Sequence, residues 1–204
     1  TVSYNKFSVS KTFEFLKSNP TISLTAEDIM VGDDLIITIS LPSDAEGNLT
    51  VNVGDIPQSK VIESSNTVFT FPNLKADTYP ISASYTGDKT YQSKTATANV
   101  NVNKYESTTI LNIGAVNVGE NVILTITTTD SSTGYVTLSI NNNTQTLALT
   151  NSKANYTIEN IKRGDYLITA VYNGDDNYST DKDSKFIEDE NLIHCIQEQA
   201  HGQE

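Results

Sequence analysis

The chain has 204 residues and carries 13 basic against 25 acidic side chains, a net charge of −12 at pH 7. This excess of carboxylates repels the phosphates of nucleic acids and of anionic lipid surfaces, so the charge balance argues against both partners. The sequence contains no run of 18 apolar residues and no export signal at its start, so we expect no membrane insertion and a piece of a longer protein.

Residues 1–17 have the pattern of a single strand that closes a preceding repeat. Their apolar residues fall on one face of an extended chain: Phe7, Val9, Phe13 and Phe15. Residues 4–17 also align without gaps on residues 91–104. Because a lone apolar strand is not stable in water, we expect residues 7–16 to pair with an exposed sheet edge. That edge belongs either to the first repeat of the same chain or to the second repeat of a neighbouring molecule.

Residues 18–104 carry the pattern of several short strands separated by turns. The first predicted strand takes in both Leu24 and Ile29 to Val31; the later ones are Leu35 to Leu41, Asn48 to Val53, Phe69 to Phe71, Tyr79 to Tyr85 and Ala96 to Val102. Tyr79 is predicted to form a tyrosine corner, in which the hydroxyl bonds to upstream backbone. Pro80 is unusual here, because a central strand rarely tolerates a residue without an N–H.

An 87-residue unit occurs twice along the chain. Both copies read Tyr-x-Ile-x-Ala-x-Tyr-x-Gly-Asp-x-x-Tyr, at residues 79–91 and again at residues 166–178. The alternation places Tyr, Ile, Ala and Tyr on one face of a strand, and Gly-Asp then turns the chain. We therefore predict an all-β protein of two tandem β-sandwiches, at residues 18–104 and 105–187. Tyr166 is the second predicted tyrosine corner.

The C-terminal part of the chain departs from the repeat. Residues 179–185 are polar and only Phe186 and Ile187 are apolar, so the last strand of the second repeat is predicted to be weak. Residues 188–204 are interpreted as a tail, either disordered or an appended expression sequence.

The sequence offers no constellation for catalysis. Both histidines and the sole cysteine fall in the tail, and the spacing of His194, Cys195 and His201 matches no closed zinc pattern. A crosslink between Lys and Asn would need a lysine on an inward face, and the pattern shows none. We therefore expect no enzymatic activity and no cofactor.

Two kinds of surface site are suggested by residue type. Carboxylates on turns are oxygen donors that Ca²⁺ can use, although Asp also shapes turns through its own hydrogen bonds. The weak calcium candidates are Asp33, Asp34, Asp88, Asp175 and Asp176. Asn-x-Ser/Thr triplets accept glycans in exported proteins, although an Asn- and Thr-rich chain also produces them by chance. They begin at Asn48, Asn142, Asn155 and Asn177.

The repeated motif, with Lys104 at the repeat junction, resembles the bacterial-type Ig-like repeats of prokaryotic surface proteins, especially the adhesin-like proteins of methanogenic archaea. The resemblance covers residues 1–187 and implies tandem immunoglobulin-like β-sandwiches. It further implies an extracellular location, anchored to the cell surface through parts outside this chain. The implied function is a stalk or adhesive module that contacts an unknown cell-surface protein or glycan.

Two other functions are kept open. A carbohydrate-binding accessory module of a wall-active enzyme would need a stripe of exposed aromatic residues, and most tyrosines here are predicted to face inward. A filament subunit would assemble by exchange of residues 7–16 between molecules, head to tail.

Overall fold

The structure is a computed structural model that describes residues 16–189. The described chain forms two compact units. The last segment of the first unit ends at Asn101, and the second unit continues from Val102. No helix within these residues has the length and apolar character that a bilayer span requires. The strands are β1 (Ser23–Ala26), β2 (Ile29–Met30), β3 (Leu35–Ser40), β4 (Asn48–Val53), β5 (Ile56–Val61), β6 (Asn66–Phe71), β7 (Asp77–Tyr85), β8 (Lys94–Asn103), β9 (Thr109–Ile113), β10 (Val122–Thr128), β11 (Tyr135–Ile140), β12 (Asn143–Ala148), β13 (Lys153–Ile158), β14 (Tyr166–Tyr172) and β15 (Asp181–Ile187).

The first sandwich consists of two sheets with strand orders β1-β3-β6 and β2-β8-β7-β4-β5. The alternation of apolar and polar residues in the sequence corresponds to an alternation of buried and more exposed side chains in the strands. Along β3, Leu35, Ile37 and Ile39 are fully buried, while the residues between them are not. Because successive side chains of a strand point to opposite faces, the same pattern recurs in β4, β6 and β7. The inward faces predicted for these strands are confirmed.

The second sandwich has strand orders β13-β10-β9 and β12-β11-β14-β15. Its connectivity repeats that of the first sandwich, except that β2 has no counterpart among the described strands. The buried core residues are Leu111, Val122, Leu124, Ile126, Val136, Leu138, Ile161, Ile168, Ala170, Tyr172 and Ile187. The predicted all-β class and the two Ig-like sandwiches are confirmed, whereas the sequence-based limits at residues 104 and 105 stay predictions.

The last strand of the second repeat is better paired than the sequence predicts. β15 pairs with β14 along its whole length, from Ile187 opposite Tyr166 to Asp181 opposite Tyr172. Ile187 is its only buried residue. The prediction of a weak strand is wrong, because strand pairing uses backbone groups, which polar residues offer as well as apolar ones.

The structure also explains how β7 accommodates Pro80. The ladder with β4 ends at Ile81, and the Pro80 carbonyl oxygen accepts the Gly54 N–H at 2.8 Å. In the second repeat the corresponding residues are Leu167 and Asn141, and the Leu167 N–H donates to Asn141 Oδ1 at 2.8 Å. Proline has no N–H to donate, and glycine has no side chain to accept one. Pro80 is therefore matched with Gly54 and Leu167 with Asn141, and neither repeat leaves an unpaired group at this place.

Candidate functional site

Each Gly-Asp turn is built around one aspartate that accepts several hydrogen bonds. In the first repeat, Oδ1 of Asp88 accepts the N–H groups of Thr90 and Tyr91 at 2.6 and 2.7 Å. Oδ2 accepts the N–H of Glu46 at 2.8 Å and the hydroxyl of Tyr85 at 2.9 Å. These donors, led by the Glu46 N–H, hold the pKa of Asp88 well below its usual range.

The second repeat builds its turn in the same way. Oδ1 of Asp175 accepts the N–H groups of Asn177 and Tyr178 at 2.9 and 2.8 Å. Oδ2 accepts both the N–H and the hydroxyl of Thr133, at 2.8 and 3.0 Å. Burial by itself would raise the pKa of Asp175, but the backbone donors outweigh it and lower the pKa to about 2.

The glycine before each aspartate is required by the backbone. Gly87 and Gly174 have φ values of 78° and 77°, in the left-handed region. A Cβ at Gly87 would lie 2.8 Å from the Tyr91 carbonyl oxygen, and one at Gly174 would lie 2.9 Å from that of Tyr178. The Gly-Asp-x-x-Tyr motif therefore encodes a tight turn.

These contacts bear on the calcium candidates. Both carboxylate oxygens of Asp88 and of Asp175 face hydrogen-bond donors, which would repel a cation placed at the same oxygens. Asp33, Asp34 and Asp176 are exposed. Residues 16–189 contain no group of three or more side chains suited to hold a metal ion. The geometry of Asp88 and Asp175 matches the alternative in which the aspartate shapes the turn.

Two equivalent tyrosines precede these turns, and their hydroxyls differ. The buried Tyr85 hydroxyl lies 2.9 Å from the Glu46 carbonyl oxygen and 2.9 Å from Asp88 Oδ2. The Tyr172 hydroxyl is buried without a hydrogen-bond partner in the described part of the chain. The pKa of both tyrosines is raised to about 12. Burial is the largest cause, and a nearby aspartate adds to it. Asp175 affects Tyr172 by proximity and charge, since the two side chains do not meet hydrogen-bond geometry.

The predicted tyrosine corners lie at the starts of β7 and β14. The Tyr166 hydroxyl donates to the Lys162 carbonyl oxygen, four residues upstream, at 3.0 Å. This is the contact that defines such a corner. Tyr79 packs its ring beside Gly54, where an added Cβ would come within 3.4 Å of the ring. Its corner stays a prediction.

The predicted glycosylation acceptors are all accessible. The four asparagines have exposed side chains: Asn48, Asn142, Asn155 and Asn177. Asn142 has a φ of 69° between β11 and β12, and Asn155 belongs to the edge strand β13. Accessibility meets one requirement for glycan transfer, and the modification itself stays a prediction. The metal candidates His194, Cys195 and His201 lie outside the described residues.

Sequence reasoning missed two aspartates that close an edge of the second sandwich. Asp181 and Asp183 lie on β15, and their Oδ2 atoms accept the N–H groups of Thr109 and Leu111 at 2.5 and 2.9 Å. Both donors belong to β9, an edge strand of the other sheet, so side chains replace a neighbouring strand there. The Leu111 N–H is the main cause that lowers the pKa of Asp183. Alignment of the repeats could have shown the change, because Asp183 occupies the place of Ala96.

The first sandwich protects a different edge. Gln58 Nε2 on β5 donates to the Thr70 carbonyl oxygen at 2.8 Å, and Lys60 Nζ donates to that of Val68 at 2.6 Å. β5 and β6 are edge strands of opposite sheets. Lys60 also lies 5.2 Å from the ring centroid of Phe69. Long polar side chains thus satisfy carbonyl groups that would otherwise be open to another strand.

An acidic groove beside the β1–β2 connection is lined in part by Glu27, Asp28 and Asp34. Asp28 is engaged there, because its two oxygens accept the N–H and the side-chain amide of Asn101 at 2.7 and 2.9 Å. Residues 16–189 contain no histidine and no cysteine. No nucleophile paired with an imidazole base can therefore form within the described chain.

Comparison with known proteins finds a family-model match in the second sandwich. Residues 109–187 match the sequence model of the bacterial Ig-like domain (group 3). None of the curated protein sequences matches the chain.

Several solved structures are similar to larger parts of the chain. The titin domains Z1Z2 in complex with telethonin have 14% identity and a TM-score of 0.45, over 84% of this chain and 96% of that chain. The fibronectin(III)-like modules of Clostridium thermocellum CbhA have 15% identity and a TM-score of 0.36, over 82% and 94%. The amphioxus IgVJ-C2 molecule has 18% identity and a TM-score of 0.37, over 78% and 98%.

Proposed function

We propose that this chain is a non-catalytic, extracellular segment of an adhesin-like surface protein, in which Ig-like repeats act as a stalk or adhesive module. The main support is the match of residues 109–187 to a bacterial Ig-like domain, together with the duplication of that unit. The repeats also resemble those of adhesin-like proteins of methanogenic archaea. Repeated modules of this kind supply length and surface area, and each repeat adds both without new chemistry.

The use of the polar side chains supports a structural role. Asp88 and Asp175 hold turns, while Asp181 and Asp183 satisfy an edge strand. A carboxylate whose oxygens already accept backbone bonds is a poor base and a poor cation ligand. These four carboxylates are thus committed to the fold.

Export would expose four asparagines to glycan transfer, and we propose them as acceptors: Asn48, Asn142, Asn155 and Asn177. Each lies on an exposed surface, so glycans there would not disturb either core. Intact-mass measurement of the protein from its native cells, before and after deglycosylation, tests the assignment. An unchanged mass contradicts it.

The carbohydrate-binding alternative has less support in the exposed aromatic residues. On the outer face of the β12-β11-β14-β15 sheet, Tyr135 and Phe186 are each 55% exposed. Their positions in the register differ by six residues, which separates them by about 20 Å along the strands. Two separated rings do not make a stripe along a sugar chain. Binding to an array of glycans would instead favour this alternative.

The filament alternative needs a different acceptor from the one predicted. A strand from a neighbouring molecule was expected to complete the second repeat, but β15 already fills that position along the whole of β14. Replacing β15 would mean displacing a fully paired strand, which is costly. Addition beside β15, which is an edge strand, would meet Asp181 and Asp183, whose carboxylates already cap β9, so the second repeat offers little to an added strand.

Surface labelling of intact cells tests the proposed function. Antibodies against the chain, or brief treatment with an external protease, should reach it without lysis, and the fragments released should include residues 18–187. Detection only after lysis would refute the extracellular assignment. A cytoplasmic protein measured in the same samples controls for leakage.

A further inference from the structure

The two sandwiches differ along the boundary between their first and last strands. In the second sandwich, Asp183 caps the outward N–H of Leu111. The corresponding residues of the first sandwich are Ala96 and Leu24, and alanine has no acceptor to offer. The position of Asp181 is taken by Lys94, whose Nζ donates to Asn19 Oδ1 at 3.1 Å instead.

The Leu24 N–H points away from its own sheet. Leu24 pairs with Ile39 in the same register that joins Leu111 to Ile126, so both N–H groups face outward from their sheets. The Leu24 N–H makes no hydrogen bond with the described residues. Its side chain is only partly buried, whereas that of Leu111 is fully buried. Among the described residues, the first sandwich therefore has a gap in this capping that the second sandwich lacks.

We call this gap the β1/β8 seam and define it by four partly buried residues: Leu24, Ala26, Ala96 and Ala98. One end is closed by the bridge between Ser18 and Tyr91. The other end is closed by Asp28, which holds Asn101. Between these ends about seven residues of β8 remain, a length of about 23 Å. Unpaired backbone beside small apolar side chains is the kind of site that an added strand can complete.

We propose that the β1/β8 seam binds residues 7–16 of a second copy of this chain as an added β-strand. The segment has the required length and places Phe7, Val9, Phe13 and Phe15 on one face. Large side chains on the incoming strand complement the small alanines of the seam, and its carbonyl groups provide acceptors for the Leu24 N–H. Leu16, the last residue of the segment, is 92% exposed and thus lacks an apolar partner within the described chain.

Charge favours the same occupant. Residues 7–16 and their neighbour Lys6 contain two lysines and one glutamate, in a chain whose net charge is −12. The seam ends near the acidic groove formed by Glu27, Asp28 and Asp34. A slightly basic segment is attracted to such a surface, whereas most other parts of this chain are repelled.

The occupant comes from a second copy because the same chain cannot turn into the seam. Ser18 is fixed beside the residues that precede β8 by two backbone bonds, from its N–H to the Thr90 carbonyl and from the Gln92 N–H to its own carbonyl, at 2.8 and 2.9 Å. Only Lys17 lies between residues 7–16 and Ser18, too short a connection for the same chain to turn back into the seam. Exchange between copies is heterologous and extends head to tail.

Sedimentation over a range of protein concentrations tests the proposal, with four proteins compared. The wild-type chain should self-associate at high concentration, and a chain lacking residues 1–16 should be monomeric. Ala96→Asp introduces the cap that the second sandwich uses and should also give a monomer. Thr97→Asp adds the same charge on the exposed face of β8 and should associate like the wild type.

Hydrogen exchange separates a blocked seam from a misfolded variant. The Leu24 amide should exchange quickly in dilute wild-type protein and slowly in Ala96→Asp, while the Leu111 amide stays protected in both. A wild-type chain that is monomeric at every concentration overturns the proposal. Association that survives either the deletion or Ala96→Asp overturns the assignment to this seam. Neither result depends on whether the protein is an extracellular adhesin.

Discussion

Tyr85 and Tyr172 occupy equivalent positions, yet within residues 16–189 only the Tyr85 hydroxyl is hydrogen-bonded. Both rings fill the core to the same degree, being 2% and 0% exposed. Removing a hydroxyl from water costs free energy, and without a hydrogen-bond partner in the core nothing offsets that cost. The same residue type at the same place in the repeat therefore contributes differently to the stability of each sandwich.

Replacing each tyrosine by phenylalanine measures this difference. Tyr85→Phe should lower the free energy of unfolding by about 1–2 kcal/mol, because it removes a buried bond to a carboxylate or a carbonyl group. Tyr172→Phe should change it by less than about 0.5 kcal/mol or raise it slightly. Urea denaturation followed by circular dichroism supplies both values. Equal losses in the two variants would show that the Tyr172 hydroxyl has a partner in solution.

Asp175 should make the second sandwich sensitive to acid. Its folded pKa of about 2 lies below the usual value, so its contribution to stability is complete above about pH 4 and is lost as pH falls towards 2. Asp175→Asn should therefore lower the urea midpoint near neutral pH but hardly change it near pH 2. Asp176→Asn, at the exposed neighbouring residue, is the matched control. A loss from Asp175→Asn that is the same at both pH values would contradict this account.

The elements of the two repeats are equivalent in register but are completed by different side chains. Where β7 carries Pro80, its neighbour is Gly54; where β14 carries Leu167, its neighbour is Asn141. The φ values of Gly54 and Asn141 are 55° and 47°, and in both repeats the N–H of this residue donates to the carbonyl oxygen of Pro80 or Leu167. The second repeat adds the bond from the Leu167 N–H to Asn141 Oδ1. The strand tolerates proline because the missing N–H would have faced that neighbour rather than the next strand.

A double-mutant cycle in the second repeat tests this coupling. Asn141→Gly leaves the Leu167 N–H without its acceptor, and Leu167→Pro leaves the Asn141 side chain without its donor, so each alone should destabilise. The combination reproduces the pair of the first repeat and should be less destabilising than the sum by about 1 kcal/mol. The four proteins are compared by urea denaturation. Strict additivity would mean that the two positions do not compensate each other.

Edge strands show how far polar residues can support a β-sandwich. Gln58 and Lys60 cover carbonyl groups of β6, and Asp181 and Asp183 cover N–H groups of β9. Side-chain donors thus cover the carbonyl groups of β6, and side-chain acceptors cover the N–H groups of β9. Fewer backbone groups of these edge strands are left free to pair with another chain. The β1/β8 seam is the place where the first repeat lacks the device that the second one has.

At the scale of the whole molecule, each sandwich has its own core and its own pair of sheets. The core of the second sandwich draws its residues from β9 to β15 and the connection after β13. A unit that buries its own apolar residues is expected to fold without its neighbour.

Residues 105–187 expressed alone should therefore fold cooperatively. The isolated sandwich should show one urea transition, and Leu138→Ala, which removes a fully buried side chain, should destabilise it by about 2–5 kcal/mol. Thr144→Ala, at an exposed site on the edge strand β12, serves as the control and should have little effect. An unfolded isolated fragment would contradict the assignment of this limit.

The period of two in the apolar pattern and the repeat of 87 residues were enough to predict most of the strands, their inward faces and two sandwiches, because alternate side chains of such a strand are buried. They did not separate β1 from β2 and did not predict β5. The same reasoning recognised the Gly-Asp turns, since positive φ demands glycine. It misjudged β15 and overlooked Asp181 and Asp183, whose partners lie about 72 residues earlier in the chain. Whether a carboxylate binds an ion, holds a turn or caps a strand depends on which backbone N–H groups surround it, and only the tertiary structure brings those groups together.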